Sequence, residues 1–155
     1  MNLADHLPDG SIVTQARAAD WREAVRLAGD ALVATGVTTP AYTDAMIATV
    51  DDLGPYIVIA PGFALAHARP SEAVLRTGLS WVHLAEPVEF GSEDNDPVQL
   101  VVGLAATDAT SHVGIMSALA EILIDDDTFA AALAADTPAA VQSLLTQAAS
   151  QSEGS

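Results

Sequence analysis

The run Val98-Gln99-Leu100-Val101-Val102-Gly103-Leu104-Ala105-Ala106 constrains this chain more than any other stretch. It is almost wholly apolar and rich in branched residues, which reads as the central strand of a sheet. A strand with no polar face has to be covered on both sides. Tyr56-Ile57-Val58-Ile59-Ala60 repeats the pattern between Gly54-Pro55 and Pro61-Gly62, and is expected as a second doubly covered strand. Phe63-Ala64-Leu65-Ala66 continues extended from it, and His67 follows. Ser11-Ile12-Val13-Thr14 and the loosely alternating Thr77-Gly78-Leu79-Ser80-Trp81-Val82-His83-Leu84 read as further strands.

Helices lie between and after these runs. Asp20-Trp21-Arg22-Glu23 has the form of a capping box. Trp21, Ala24, Val25, Ala28, Ala31 and Leu32 then recur at helical spacing until Gly36, with Trp21 expected in the core. Thr39-Pro40 opens a second helix, with Pro at its first position. Its apolar face is Tyr42, Met46, Ile47, Val50 and Leu53, and Gly54-Pro55 stops it. Past a polar turn at 91–97 and the central strand, Ile115, Met116, Leu119, Ile122 and Leu123 mark a third helix. Residues 128–135 form a shorter one, and Thr137-Pro138 opens the last. Helices on both sides of several short strands predict an α/β three-layer sandwich with a mixed central sheet. One domain is expected over 1–147, with 148–155 as a flexible polar tail.

At 155 residues such a domain buries roughly two-thirds of its unfolded surface. There is no lysine, and 21 acidic residues face five arginines, for a net charge of −16. That field repels nucleic acid and anionic membranes, so neither is an expected partner. Any anion must be held by local donors, drawn from Arg17, Arg22, Arg26, Arg69 and Arg76. The absence of cysteine excludes disulfides and thiolate chemistry within the chain. No signal peptide or membrane-length apolar run is read, so a cytoplasmic protein is expected.

Chemistry gathers on the histidines. His6 falls in the lead-in and is expected in solvent; His83 lies within a strand between Val82 and Leu84. His67 and His112 each follow a strand, where sites in α/β folds collect. His112 also stands in the first turn of a helix, where free N–H groups and the dipole favour an anion. Three chemistries fit the pair. One is phosphoryl relay, with one imidazole as nucleophile and the other as donor. The second is a metal site completed by Asp108 or another acid, which the absence of HExxH spacing disfavours. The third is acid–base catalysis on a small substrate, for which no orienting third group is identified.

The segment Gly54-Pro55-Tyr56-Ile57-Val58-Ile59-Ala60-Pro61-Gly62-Phe63-Ala64-Leu65-Ala66-His67-Ala68-Arg69-Pro70 resembles the active-site segment of mannitol/fructose-type enzyme IIA components of the bacterial phosphotransferase system, and within them the ascorbate-type branch. Glu93-Asp94-Asn95-Asp96-Pro97-Val98, Ala105-Ala106-Thr107-Asp108-Ala109-Thr110-Ser111-His112, Trp21-Arg22-Glu23-Ala24-Val25 and Pro40-Ala41-Tyr42 match that branch in order and spacing, over about residues 10–147. The resemblance implies a single enzyme IIA domain that works as a phosphocarrier without a cofactor or metal. His67 would take a phosphoryl group from phosphorylated HPr. It would pass it to a cysteine of enzyme IIB, which phosphorylates the sugar, L-ascorbate by the branch, as membrane component IIC imports it. His112 would stabilise the phosphoryl group, with Arg69 and Ser111 as further phosphoryl-binding candidates. A homodimer is left open.

Two departures from the family pattern stand out. Ala66 replaces the proline that usually precedes the active histidine, which softens the approach to it. Ala48-Thr49-Val50 lacks the arginine that mannitol-type members carry late in the second helix, and Arg69 could supply that charge unless it pairs with Glu72. Phe63, Leu65 and Ile115 are candidates for a partner-docking rim. Two other readings are kept: a regulatory IIA-like phosphoprotein, and a metal-dependent hydrolase using His67 and His112.

Overall fold

The computed structural model describes residues 3–8, 10–123 and 125–153, with side chains as far as residue 147. Strands β1 (Ile12–Ala16), β2 (Val58–Ala60), β3 (Phe63–His67), β4 (Gly78–Val88) and β5 (Val98–Ala105) form one mixed sheet in the order β1-β4-β5-β3-β2. β1 runs parallel to β4 and β3 parallel to β5, while β4–β5 and β2–β3 are antiparallel. The expected central strand is central, flanked by β4 and β3.

The sheet has two apolar faces because the pleat sends alternate residues to opposite sides. On β5, Val101 and Ala105 join one core, and Leu100, Val102 and Leu104 join the other. β3 divides likewise into Ala64 and Ala66 against Phe63 and Leu65, and β4 into Val82 and Leu84 against Leu79 and Trp81. Helices α1 (Trp21–Ala34) and α2 (Pro40–Leu53) cover the first face. Helices α3 (Ala109–Leu123), α4 (Asp126–Ala134) and α5 (Pro138–Glu153), with a 3-10 turn at Leu3–His6, cover the second. The three-layer α/β sandwich follows.

Local signals set most element ends. The Asp20 carboxylate accepts the Glu23 N–H at 2.9 Å and starts α1. Asp125 accepts the Thr128 N–H at 2.9 Å, so α4 begins at Asp126 rather than at residue 128. Pro40 sits in the first turn of α2, although the Thr39 side chain makes no capping bond. β4 runs on to Val88, and the α5 backbone is helical to Glu153, into the segment expected as a tail; residues 154 and 155 lie outside the described residues.

One strand differs from expectation. Residues 56–60 yield only a three-residue β2, at the sheet edge, and Ile59 is 38% exposed. The doubly covered strand is β3, reached through a tight turn in which Gly62 takes φ 79°. A carboxylate organises the loop beside that turn. Asp96 accepts the backbone N–H groups of Phe90, Gly91 and Ser92 at 3.0, 2.7 and 3.0 Å. The Asn95 carbonyl accepts the Gly62 N–H at 2.9 Å, and its side-chain amide donates to the Val58 carbonyl at 3.2 Å.

Candidate active site

β3 and β5 are parallel neighbours, so both reach the same edge of the sheet; His67 ends β3 in register with Leu104. Alternation along β3 puts the His67 side chain on the face of Phe63 and Leu65, toward the helices that follow β5. α3 begins four residues past β5, and His112 stands in its first turn. The two rings meet with centroids 5.2 Å apart at an interplanar angle of 63°. Tyr56 closes the other side of His67, edge-on at 5.6 Å.

Two devices steady α3. Asp108 accepts the Ser111 N–H at 2.7 Å, and its backbone carbonyl accepts the His112 N–H at 3.1 Å. The Thr107 N–H donates to the Thr77 hydroxyl at 3.2 Å, tying the β5–α3 loop to the start of β4. The hydrogen bonds from Ser111 hold the Asp108 carboxyl below the ordinary carboxylate range. The N–H groups that the sequence offered to an anion are therefore partly engaged by the helix's own cap.

His67 Nδ1 lies 2.7 Å from the Leu65 carbonyl. A carbonyl only accepts, so Nδ1 carries the proton and Nε2 of the neutral ring keeps its lone pair. Burial pushes the His67 pKa down, with the bond to Leu65 opposing it. His112 is pushed down as well, by burial and then by the neighbouring His67. Both rings are thus neutral at neutral pH, and the His67 Nε2 lone pair is available for nucleophilic or acceptor chemistry.

The pair opens into a groove of about 630 Å³ between α2, the segment after β3, and α3. Ala45, Thr49, Leu53, Tyr56, Arg69 and Val113 line it beside the two histidines. Arg69 has no hydrogen-bond or ion-pair partner among the described residues, so it is free of Glu72 and is the one guanidinium on the groove wall. Ser111 faces its cap and is not on that wall. Nor is His83, which lies within β4 as expected, its Nδ1 buried without a partner. The expected docking rim is corrected. Phe63, Leu65 and Ile115 are at most 1% exposed because they point into the core; the exposed apolar residues at the groove are Leu53 (71%), Tyr56 (41%) and Val113 (61%). Among the described residues no three His, Cys, Asp or Glu side chains are placed to hold a metal ion. Asp108, the acid named as a third donor, is turned to Ser111.

Residues 5–148 match the family model described as "Phosphoenolpyruvate-dependent sugar phosphotransferase system, EIIA 2". The chain belongs to this EIIA family. It is a phosphotransferase-system EIIA component, a phosphocarrier. Its sequence is 46% identical over 132 residues to the ascorbate-specific PTS system EIIA component of Escherichia coli (strain K12), covering 83% of this chain and 85% of that one. The EIIA fold recurs in the solution structure of the mannitol-specific cryptic phosphotransferase enzyme IIA CmtB from Escherichia coli. That structure has a TM-score of 0.84 and 33% identity, over 95% of this chain and 99% of that one. It recurs also in the complex of enzyme IIAMtl with phosphorylated enzyme IIBMtl from Escherichia coli, with a TM-score of 0.80 and 28% identity, over 91% and 97% of the two chains.

Sequence reasoning does not single out Tyr56, Leu53 or Val113 as lining this groove. The sequence reads Tyr56 as the start of a strand and Leu53 as part of a helix face. No motif marks which apolar residues the fold will leave uncovered.

Proposed function

We propose that His67 of this EIIA is the phosphoryl acceptor. The observation that carries the reading is the paired, neutral His67 and His112 at the floor of an open groove, with His67 Nδ1 held on a backbone carbonyl. The lone pair of His67 Nε2 attacks the phosphorus of phospho-HPr. The new N–P bond forms as the bond to the donor breaks, and the donor side chain leaves with that electron pair. Such a transfer asks mainly for in-line placement and charge stabilisation. His112 supplies an imidazole N–H to the phosphoryl oxygens, and Arg69 supplies the positive charge. Ser111 contributes by holding the first turn of α3 through Asp108. The phosphoryl group then passes to a cysteine thiolate of an enzyme IIB; the IIA–IIB complex of the mannitol relative supports that partner. The ascorbate-specific relative supports L-ascorbate as the sugar imported through IIC.

Leu53, Tyr56 and Val113 form the apolar docking rim for both protein partners. Among the described residues no helix is long and apolar enough to cross a membrane, which fits a site of action on the cytoplasmic side, where phosphoenolpyruvate is available.

Incubation with phosphoenolpyruvate, enzyme I and HPr, followed by intact mass, tests this. Wild type gains one phosphate. His67→Ala gains none, and His112→Ala gains it slowly or loses it fast. Phosphate retained by His67→Ala would assign the acceptor elsewhere.

A further inference from the structure

We infer that the Tyr42 hydroxyl is a positioning group for His67, acting by interrupting the β3–β5 ladder one residue beyond it; this rests on His67 being the phosphoryl acceptor. Tyr42 is fully buried on α2, on the far side of the sheet from His112. Its hydroxyl accepts the Ala68 N–H at 3.0 Å and donates to the Leu104 carbonyl at 2.7 Å. The Ala68 carbonyl lies 3.1 Å away, farther than Leu104, so the single proton goes to Leu104.

Ladder geometry gives that placement its meaning. The Leu65 N–H turns toward β2, where the Ile57 carbonyl accepts it at 2.8 Å. Alternate N–H groups point to opposite edges of a strand, so those of Ala64, Ala66 and Ala68 turn toward β5. His67 is in register with Leu104, and the next rung would carry the Ala68 N–H to the Leu104 carbonyl. The Tyr42 hydroxyl stands between that donor and that acceptor. Both stay satisfied, yet the strands are wedged apart and β3 stops at His67. The chain then leaves the sheet along the groove wall, carrying Arg69 with it. A rigid wedge held on two backbone groups fixes where β3 ends, which is the service a proline before the histidine would otherwise give and Ala66 does not. Burial pushes the Tyr42 pKa up to about 12, so the donor proton stays in place throughout the physiological range.

Tyr42→Phe keeps the ring and deletes the wedge. The freed Ala68 N–H and Leu104 carbonyl then close on each other, extending β3 by one rung and turning His67 away from His112. The rate of phosphoryl transfer at saturating phospho-HPr falls on the order of tenfold to a hundredfold, because small misplacements of a nucleophile cost that much. The apparent KM for phospho-HPr stays near wild type, because the docking rim is untouched. Nitrogen NMR of the His67 ring supplies a readout that lost stability alone does not move. The wild-type neutral ring is protonated at Nδ1, and the variant shows mixed tautomers. Ser80→Ala, which deletes another buried hydroxyl under the same helices (donating to Ala28 at 2.8 Å), lowers stability and leaves transfer and the His67 resonances unchanged. A folded Tyr42→Phe with wild-type transfer and unchanged ring resonances overturns the inference. If that variant does not fold, wild type still decides. The Tyr42 hydroxyl proton is then seen as a slowly exchanging signal with a cross-peak to the Ala68 amide, and its absence overturns the wedge. If wild-type His67 takes no phosphate, the acceptor assignment fails instead, while the NMR measurements still test the wedge.

Discussion

The two layers enclosing the sheet are built from different material. Beneath α1 and α2 the sheet presents Ala64, Ala66, Ser80, Gly103 and Ala105 among Val82, Leu84 and Val101, and α1 meets it with Ala24 and Ala28 beside Val25 and Leu32. A Cβ on Gly103 would overlap the Ser80 hydroxyl, and one on Gly29 would overlap the Thr43 side chain of α2. Beneath α3, α4 and α5 the sheet presents Phe63, Leu65, Leu79, Trp81, Leu100, Val102 and Leu104. Small residues bring backbones close, so hydrogen bonds and hard contacts fix the first layer. Large side chains fill the second, where volume matters more than any one shape. His67 stands where the layers meet. The Tyr42 hydroxyl reaches the backbone beside it from the first side, and the His112 ring meets it from the second.

One buried substitution on each side breaks or sharpens that contrast most directly. Gly29→Ala should gain about 1 kcal/mol from helix propensity alone, yet we expect a net loss of up to about 2 kcal/mol because the new Cβ would overlap the Thr43 side chain. Urea denaturation reads the sign, and a stabilised variant would show that α1 and α2 are not at contact distance. Leu119→Met, at a fully buried position on the bulky side, should cost less than about 1.5 kcal/mol in the same assay.

Acid should separate the layers next. Burial lowers the pKa values of His67, His83 and His112 from the ordinary 6.5, and no histidine lies in α1 or α2. For His83 the nearby Asp136 opposes the shift. The unfolded chain therefore binds more protons than the folded one below about pH 6.5, and stability falls as the pH drops from there through the three folded values. Above that window these groups add no pH dependence. Asp108 and Asp125, both held low, lose their contribution only below the ordinary carboxylate value of 3.8, outside the window. Hydrogen exchange at pH 5.5 should show α3 amides losing protection before those of α1. Loss in the reverse order would place the acid-sensitive groups elsewhere. The smallest effect expected is on association. With a net charge of −16, transfer from HPr should slow as ionic strength rises, and a rate indifferent to salt would remove electrostatic steering.

Much of this was legible in the chain because the signals are local. The apolar run at 98–106 demanded two covering layers, Asp20 and Pro40 started helices, and His67 and His112 stood beyond strand ends. The edge position of β2 was not legible. An apolar run such as Tyr56–Ala60 reads the same whether one neighbour or two will cover it, and strand order is set by pairing over long sequence distances. The docking rim failed for a related reason: Phe63, Leu65 and Ile115 are as apolar as Leu53, Tyr56 and Val113, and only the packed molecule leaves the second set uncovered.

By itself, then, the sequence determined the layered α/β class, the two candidate histidines and the family motif that joins them, because periodicity, capping and residue chemistry are properties of neighbouring residues. The tertiary structure alone decided that the two rings meet at 5.2 Å, that His67 Nδ1 is held on a carbonyl and Nε2 left free, that Arg69 has no partner among the described residues and that the Tyr42 hydroxyl on α2 bonds the backbone just past the end of β3. The ring contact and the Tyr42 bonds depend on distances between residues 26 to 62 positions apart, and such distances exist only once the helices close on the sheet.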